Sequence, residues 1–262
     1  MKQIKYSIQT YTVRNSLLTY EDFDASMRRL AEMGYTSVQT RPTDFLDGTS
    51  LAALLAKYGL SADSAFCPLY EILSSADRIS RDAEALGTDV LRTDSIAPAD
   101  RKTADGYHRA AEHLNACGKL LRGRGLKFMY HFHSFEFVTF GDVRGIDILL
   151  SETDPGCVLF QPDVFWLAAA GTEPSVSLEM FAGRAEYMHV KDYVIVPGTG
   201  DKLEETFRAS APVGDGNLNW KAILETARRI GITNFVAEDD MGILDPFESA
   251  RRSILGMKRL GF

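Results

Sequence analysis

The sequence predicts an α/β protein in which eight strand and helix units close into one barrel. The first observation is a recurrent junction, where an amphipathic stretch ends at a glycine and a short β-rich run follows. The second is that several of these runs are almost continuously apolar, which is typical of parallel strands covered by helices. The third is length, because eight such units in 262 residues match a (β/α)8 TIM barrel. A doubly wound sheet of eight strands is the structural alternative.

Seven glycine junctions and an N-terminal strand define the eight predicted strands. A glycine at the end of a helix adopts the left-handed conformation that strains other residues. The junction glycines are Gly34, Gly59, Gly87, Gly125, Gly156, Gly183 and Gly231. The predicted strands are Ile4–Tyr11, Ser37–Thr40, Ser61–Phe66, Val90–Asp94, Lys127–His133, Cys157–Gln161, Tyr187–Lys191 and Asn234–Glu238.

The segments between these strands have the apolar period of helices that pack on a sheet. Examples from the first, fourth and last helices are Phe23, Met27, Leu30, Tyr107, Leu114, Phe247 and Ile254. No linker rich in serine, glycine or proline divides the chain, so residues 1–262 are assigned to one TIM barrel domain. The glycine-rich segment from Val194 to Leu218 is predicted to be a long loop that acts as a lid or contacts the substrate.

Composition predicts a soluble globular protein. Apolar residues make up 45% and charged residues 25% of the chain, and no apolar run approaches the ~18 to 20 residues that span a bilayer. The formal charge of −7, without Lys/Arg tracts, disfavours nucleic-acid binding. The polar N-terminus has no signal-peptide core, and three cysteines without a CxxC pair indicate neither a disulfide framework nor a thiolate zinc site. We expect a cytoplasmic protein with neither a nucleic-acid nor a membrane partner.

Polar side chains gather at the predicted carboxyl ends of the strands, where the active site of such a barrel lies. Three of the five histidines in the chain are among them. The strand-end residues are Gln9, Tyr11, Gln39, Arg41, Cys67, Arg92, Asp94, His131, His133, Glu136, Gln161, Asp163, His189, Lys191, Asp192, Glu238 and Asp240. A single His or Asp at a strand end often only caps the next helix, whereas a cluster of this size indicates a site.

Asp163, His189 and Glu238 follow three neighbouring predicted strands and are candidate metal ligands. Carboxylate and imidazole groups together suit one divalent ion such as Mn²⁺, Mg²⁺, Co²⁺ or Zn²⁺, and the lack of thiolates removes a strong preference for zinc. A fourth ligand is expected from the end of the fifth strand. The three candidates there are His131, His133 and Glu136. Side-chain alternation along the strand does not choose among them.

Seven segments of the chain, in their order and spacing, carry the pattern of a known family. They are SIQTYTVRNSL (7–17), GYTSVQ (34–39), YHFHSFEF (130–137), QPDVFWLAAAG (161–171), HVKD (189–192), PVGDGNLNW (212–220) and VAEDD (236–240). Across essentially its whole length the chain resembles the sugar phosphate isomerase/epimerase proteins of the xylose-isomerase-like TIM-barrel superfamily. The resemblance implies one divalent metal held by a strand-five residue, Asp163, His189 and Glu238. Many relatives have glutamate where this chain has His131 and Gln39, so its site is less anionic.

The resemblance implies an isomerase or epimerase that acts through an enediolate on a ketose or keto-sugar. Such an enzyme moves a proton from a carbon beside a carbonyl, and a chelated metal stabilises the negative charge that develops. Glu238 and Glu136 are the candidate bases, and the alternative for Glu136 is a solvated carboxylate. Lys191 is a candidate for stabilising an oxyanion, and the alternative is an ion pair with Asp192 or Asp240.

Substrate contacts are expected from His133, Trp166, Tyr11 and Arg92. His133 either donates a hydrogen bond to a substrate hydroxyl or orients His131 as a metal ligand. The aromatic side chains offer faces on which a sugar ring can stack, although aromatic residues at such positions more often belong to the core. The expected partner is a small carbohydrate. A homodimer is a further expectation, since barrels of this kind often pair through their outer helices.

Three other functions compete with an isomerase. A lyase, such as a dehydratase of an inosose-type or 3-keto-sugar substrate, starts from the same enolate and expels a leaving group instead of returning the proton. An endonuclease for abasic DNA sites shares the barrel, but the negative charge and ligands for only about one metal disfavour it. A sugar-binding protein without catalysis is disfavoured by the intact set of Asp163, His189 and Glu238.

Overall fold

Eight parallel strands form the central sheet of the computed structural model, which describes residues 5–198 and 206–262. The strands in chain order, including two small hairpins, are β1 Ser7–Gln9, β2 Ser37–Gln39, β3 Ser61–Phe66, β4 Val90–Thr93, β5 Lys127–His131, β6 Thr139–Phe140, β7 Val143–Arg144, β8 Leu159–Gln161, β9 Tyr187–Val190, β10 Asp192–Val196, β11 Phe207–Ala211 and β12 Asn234–Ala237. The sheet has the order β8-β5-β4-β3-β2-β1-β12-β9. The His189 amide donates to the Pro162 carbonyl at 2.8 Å, which brings β9 beside β8 and closes the barrel.

The helices cover the outside of this barrel. They are α1 Tyr20–Met33, α2 Gly48–Lys57, α3 Leu69–Leu86, α4 Ala104–Arg122, α5 Gly145–Glu152, α6 Val164–Ala169, α7 Pro174–Ser177, α8 Trp220–Arg229 and α9 Pro246–Leu260. The predicted apolar positions Phe23, Met27 and Leu30 of α1 are buried. No helix in the described ranges has the length and apolar composition needed to cross a membrane.

The (β/α)8 prediction is confirmed, with shorter strands than the sequence indicated. Ile4 of the first predicted strand lies outside the described residues. Gly34 ends α1 in the left-handed conformation, with φ of 103°, as the junction pattern predicts. The prediction is wrong at Gly156, which is not among the glycines of positive φ. There, the Gly156 amide donates to Oδ1 of Asp154 at 2.8 Å, so a side-chain turn joins α5 to β8.

The predicted loop from Val194 to Leu218 contains part of an antiparallel hairpin. Strands β10 and β11 pair from Asp192 with Ala211 to Val196 with Phe207, so the prediction of an irregular loop is wrong for these residues. Residues 199–205 of the predicted loop lie outside the described residues. The glycines and prolines of this segment suggested a loop, whereas the β-branched run Val194–Val196 forms a ladder with its partner strand.

Side-chain alternation on the short strands places polar groups inside the barrel. Gln9 and Gln39 end β1 and β2, and each lies one residue after a fully buried apolar side chain, Ile8 or Val38. Because successive side chains of a strand point to opposite faces, the apolar residues pack against the helices and the glutamines face the interior. The carboxyl end of the barrel therefore has a polar lining.

Candidate metal centre and active site

Four buried side chains meet at the carboxyl end of the barrel. His131 ends β5, and Asp163, His189 and Glu238 belong to the ends of β8, β9 and β12. One nitrogen or oxygen from each of the four lies within 4.8 Å of the others. Oδ2 of Asp163 is 3.6 Å from Nε2 of His131, and Nδ1 of His189 is 3.2 Å from Oε2 of Glu238. This spacing leaves room for one ion between the four side chains.

The four candidate ligand atoms are buried and have few partners outside the cluster. Nε2 of His131 and Nδ1 of His189 form no hydrogen bond with the described residues, and outside the cluster Oδ2 of Asp163 and Oε2 of Glu238 face the Lys191 ammonium. Buried polar atoms without a full set of partners are costly, and a bound ion or water satisfies such atoms. Two imidazoles and two carboxylates also match the donors of divalent metal sites. The residues present therefore fit a divalent metal ion.

Two of the candidate ligands are oriented by a bond on their other atom. Nε2 of His189 donates to Oε1 of Gln39 at 2.9 Å, which turns Nδ1 toward the cluster. Oδ1 of Asp163 caps α6 by accepting from the amides of Phe165 at 2.8 Å and Trp166 at 3.3 Å, which turns Oδ2 toward the cluster. Such supporting contacts fix the ligand atom and raise metal affinity.

The charge state of the histidines follows from their burial. Burial, and then the neighbouring His189 and His133, hold the pKa of His131 well below its ordinary value, so this ring is neutral and able to ligate. Burial would also lower the pKa of His189, but Glu238 and Asp163 outweigh it and raise that pKa. A proton on Nδ1 of His189 is therefore exchangeable for a metal ion.

Lys191 links the ligand carboxylates to Asp240. Its fully buried ammonium lies 2.8 Å from Oε2 of Glu238, 2.8 Å from Oδ1 of Asp240 and 3.3 Å from Oδ2 of Asp163. Burial would lower the pKa of Lys191, yet the three carboxylates outweigh it and raise that pKa, so the side chain is a cation. Three carboxylates against one ammonium leave two negative charges, which a divalent ion would balance. Of the two ion pairs predicted as alternatives, the pair with Asp240 is present.

Asp192 instead holds the loop that precedes α8. Its carboxylate accepts from the amides of Gly214 at 2.9 Å and Gly216 at 3.1 Å, and from Nε1 of Trp220 at 2.6 Å. A β-carbon at Gly216 would overlap this carboxylate, so the glycine is required there by close approach. Asp192 and Trp220 therefore stabilise the fold beside the site.

Glu136 is buried, and both of its carboxylate oxygens have partners. The Tyr130 hydroxyl donates to Oε1, and the His133 amide donates to Oε2 at 2.9 Å. Its side chain is fully buried, contrary to the alternative of a solvated carboxylate. Burial raises the pKa of Glu136 to about 8, although the two donors oppose the shift. Glu136 is neither part of the four-residue cluster nor among the residues that line the cavity beside it.

A cavity of about 720 Å³ opens above the cluster. His131, Glu238 and the predicted substrate contacts Tyr11, His133 and Arg92 line it. Arg92 is ion-paired with Asp94. Burial lowers the pKa of His133 to about 4, so this ring is neutral near neutral pH.

Trp166, the fourth predicted substrate contact, lies behind this lining. Its ring centroid is 5.2 Å from that of His133, and Nζ of Lys191 is 5.3 Å from the Trp166 ring. It is not among the lining residues of the cavity. In this geometry Trp166 supports His133 and Lys191 from the side of α6.

Sequence reasoning missed two arginines and an aromatic ring at the cavity. Arg14, Arg101 and Phe135 line it from short 3-10 helical turns beyond the ends of β1, β4 and β5. These residues lie four or more positions past the strand ends, where the sequence pattern places the site. The signal that could have identified the arginines is a basic residue in the segment that joins a strand to its following helix, since such segments carry function.

Comparisons with known proteins agree with the fold. Residues 27–258 match the family described as "Xylose isomerase-like TIM barrel". The inosose dehydratase of Clostridium beijerinckii is 28% identical over 158 residues, which cover 55% of this chain and 51% of that protein. The inosose dehydratase of Geobacillus kaustophilus is 26% identical over 200 residues, which cover 64% of this chain and 61% of that protein. The chain thus spans about half to three fifths of the length of these curated relatives.

Solved structures resemble the whole chain. A sugar phosphate isomerase/epimerase from Parabacteroides distasonis has a TM-score of 0.81 at 21% identity and covers 98% of this chain, which covers 94% of it. A protein named IOLI with a bound zinc atom has a TM-score of 0.72 at 13% identity, and 98% of each chain is covered. At these identities the likeness shows the fold.

Proposed function

The chain belongs to the xylose isomerase-like TIM barrel family, and on that basis we propose that it is a divalent-metal-dependent isomerase of a ketose or keto-sugar. The observation that carries the proposal is the convergence of four buried ligand atoms, on His131, Asp163, His189 and Glu238, within 4.8 Å of one another. A divalent ion held there would polarise a substrate carbonyl and stabilise the negative charge developing on its oxygen. The similar IOLI structure has a bound zinc atom, which is consistent with a metal site in a protein of this fold.

Glu238 is the proposed base. Of the four cluster residues, His131 and Glu238 line the cavity, and Glu238 is the carboxylate of the two. Burial would raise the pKa of Glu238, but Lys191 and then His189 outweigh it and hold that pKa well below its ordinary value. Glu238 is therefore ionised at neutral pH, as a base that takes a proton from a carbon must be. Lys191 balances the negative charge of Glu238 and Asp163 before the proton moves.

An isomerase fits better than a two-carboxylate epimerase. Glu238 and Asp240 both follow β12 and line the cavity, whereas β5 presents imidazoles there and the carboxylate of Glu136 is turned away. Transfer of a proton between adjacent substrate carbons needs one base. Inversion at one carbon needs a base on one face of that carbon and an acid on the opposite face. His133, which is neutral, is positioned to donate a hydrogen bond to a substrate hydroxyl.

A dehydratase is the second candidate, and the names of the curated relatives favour it. Removal of a proton beside the carbonyl is common to both reactions, so the same residues would serve. In a dehydratase the electron pair left on carbon expels hydroxide from the β-carbon, and a neighbouring acid protonates it to water.

The two candidates are tested together by proton NMR in D₂O. The metal-loaded protein is incubated with ketoses, keto-sugars and inososes, and each signal beside the carbonyl is followed. We expect loss of that signal with one substrate, and its persistence with Glu238→Gln. The exposed Glu225 of α8 supplies the matched control, Glu225→Gln. An isomeric sugar as product supports the isomerase, loss of water supports the dehydratase, and no exchange with any substrate contradicts both.

A further inference from the structure

The cavity has two chemically different halves. The four candidate ligands follow β5, β8, β9 and β12, which meet around one side of the closed barrel. Four arginines line the cavity on the other side, one from β4 itself and three from the segments that follow β1, β2 and β4. They are Arg14, Arg41, Arg92 and Arg101. The proposed function uses the first half and leaves the arginines without a role.

Most of these cations have no carboxylate partner. Arg92 pairs with Asp94, but Arg14, Arg41 and Arg101 form no ion pair with any residue of the described ranges. The other carboxylates on the cavity, Glu238 and Asp240, are paired with Lys191. Unpaired cations on one wall of a concave site are unusual in a chain whose net charge is −7.

Aromatic rings and backbone oxygens hold the guanidinium groups in place. Arg101 lies over the Phe135 ring at 4.1 Å and donates through Nε and Nη2 to the Ile96 carbonyl at 3.1 and 2.9 Å. These two bonds leave Nη1 of Arg101 unused. Arg41 and Arg92 lie over the Phe66 ring at 5.4 and 5.2 Å. A guanidinium that is already oriented loses less entropy when it binds an anion.

Arg101 is also connected to the metal half through stacked rings. The Phe135 ring stacks on His133 at 5.4 Å with an interplanar angle of 12°, and His133 contacts His131 at 4.7 Å between ring centroids. A substrate that reaches from His131 toward Arg101 would therefore pass along His133.

We propose that the substrate carries an anionic group, a carboxylate or a phosphate, at the end remote from the reacting carbons, and that Arg41 and Arg101 bind it. The inference rests on the proposed function, because it assigns the reacting end to the metal half. The planar guanidinium fork matches both anions, which accept two parallel N–H bonds. Arg14 and Arg92 add positive potential but are held by the Asp240 carbonyl and by Asp94, respectively.

The test compares ligands that differ only at their terminal carbon. D-fructose, D-fructuronate and D-fructose 6-phosphate form one series, and D-ribulose and D-ribulose 5-phosphate form a second. Binding to the Mn²⁺-loaded protein is measured by isothermal titration calorimetry, and each series is repeated with Arg41→Gln, Arg101→Gln and both together. Arg81→Gln is the matched control, because Arg81 is exposed on α3 and does not line the cavity.

We expect an anionic ligand to bind at least tenfold more tightly than its neutral partner in at least one series. The preference should fall with added salt and disappear in the double variant, but persist in Arg81→Gln. Whichever of D-fructuronate and D-fructose 6-phosphate binds more tightly then shows whether the arginines prefer a carboxylate or a phosphate. Equal binding of neutral and anionic ligands, or a preference that survives in the double variant, overturns the proposal. Metal binding tests the proposed function separately, because the candidate ligands do not include these arginines.

Discussion

Nε2 of His189 donates a hydrogen bond of 2.9 Å to Oε1 of Gln39, which joins β9 to β2 inside the barrel. Because an amide oxygen accepts and does not donate, the ring proton is fixed on Nε2. Nδ1 then faces Oδ2 of Asp163 at 3.7 Å and Oε2 of Glu238 at 3.2 Å. Gln39 thus orients a candidate metal ligand without adding a negative charge to the site.

Removing this acceptor should weaken metal binding. In Gln39→Leu the His189 ring loses its orienting bond, and we expect the affinity for Mn²⁺ or Zn²⁺ to fall by about 10- to 100-fold. Calorimetric titration of the metal-free protein measures it. Gln9→Leu removes another buried amide that accepts from the Tyr11 backbone instead of a ligand, and it should keep the wild-type affinity. Equal affinities for Gln39→Leu and wild type would contradict the role of Gln39.

The two imidazoles should also decide which metal is preferred. Nitrogen donors favour Zn²⁺ and Co²⁺, whereas oxygen donors suit Mg²⁺ and Mn²⁺. We expect the wild type to bind Zn²⁺ and Co²⁺ more tightly than Mn²⁺ and Mg²⁺. His131→Glu, which supplies a third carboxylate, should narrow the ratio of Zn²⁺ to Mn²⁺ affinity by at least about tenfold. Competition titrations measure that ratio, and an unchanged ratio would exclude His131 as a ligand.

Glu136 should make the protein less stable as the pH rises. Burial raises its pKa to about 8 from an ordinary value of 4.5. Between these values the carboxyl is protonated in the folded state and ionised in the unfolded state, so the unfolded state binds fewer protons. The contribution of the Glu136 carboxyl to the free energy of unfolding is fully present below about pH 4.5 and is lost as the pH rises through about 8. The loss should be on the order of a few kcal/mol.

The matched variant for this effect is Glu136→Gln. Its amide oxygen can still accept from Tyr130 or the His133 amide, but it has no charge to bury. Urea unfolding at pH 5, 7 and 9 should show that the variant loses less stability than the wild type between pH 5 and pH 9. If both proteins lose stability in parallel, the carboxyl of Glu136 does not titrate in that range.

Asp192→Ala should be strongly destabilising. The substitution leaves the amides of Gly214, Gly216 and Leu218 and Nε1 of Trp220 without their acceptor. Bonds to a buried charged group contribute about 1.5 to 3 kcal/mol each, although not additively, so we expect a loss of more than about 3 kcal/mol.

The control for Asp192 is the neighbouring Asp215. Its ion pair with Arg252 is partly exposed, and Asp215→Ala should cost no more than about 1 kcal/mol. Thermal and chemical unfolding of the two variants compare the costs. Similar values for both would show that the Asp192 carboxylate does not anchor this loop.

The sequence predicted the barrel because its signals are local and repeated. Glycine junctions, apolar strands and helix periodicity recur in each unit, and the strands they indicate form the sheet. The β10 and β11 hairpin was missed because proline and glycine between its strands resemble an open loop. Pairing with a partner strand is a tertiary contact that local propensity does not contain.

The positions of Asp163, His189 and Glu238 at predicted strand ends also indicated that they lie close together, since parallel strands of a barrel bring their carboxyl ends to one side. The choice among His131, His133 and Glu136 depended on where β5 ends. The strand stops at His131, and the short helical turn Phe135–Phe137 returns Glu136 to the Tyr130 hydroxyl. Spacing along a sequence does not encode such a turn, so His131 as the strand-five ligand is a prediction that geometry supports.

The most direct test of the metal centre is the metal content of the purified protein after dialysis against Zn²⁺ or Mn²⁺. We expect about one equivalent of metal for wild type, His133→Ala and Glu136→Gln, and loss of the metal in His131→Ala, His189→Ala and Asp163→Ala. Circular dichroism of each variant distinguishes loss of metal from loss of fold. A folded wild type that holds no divalent metal, or a folded His131→Ala and His189→Ala that hold a full equivalent, would contradict the proposed metal centre.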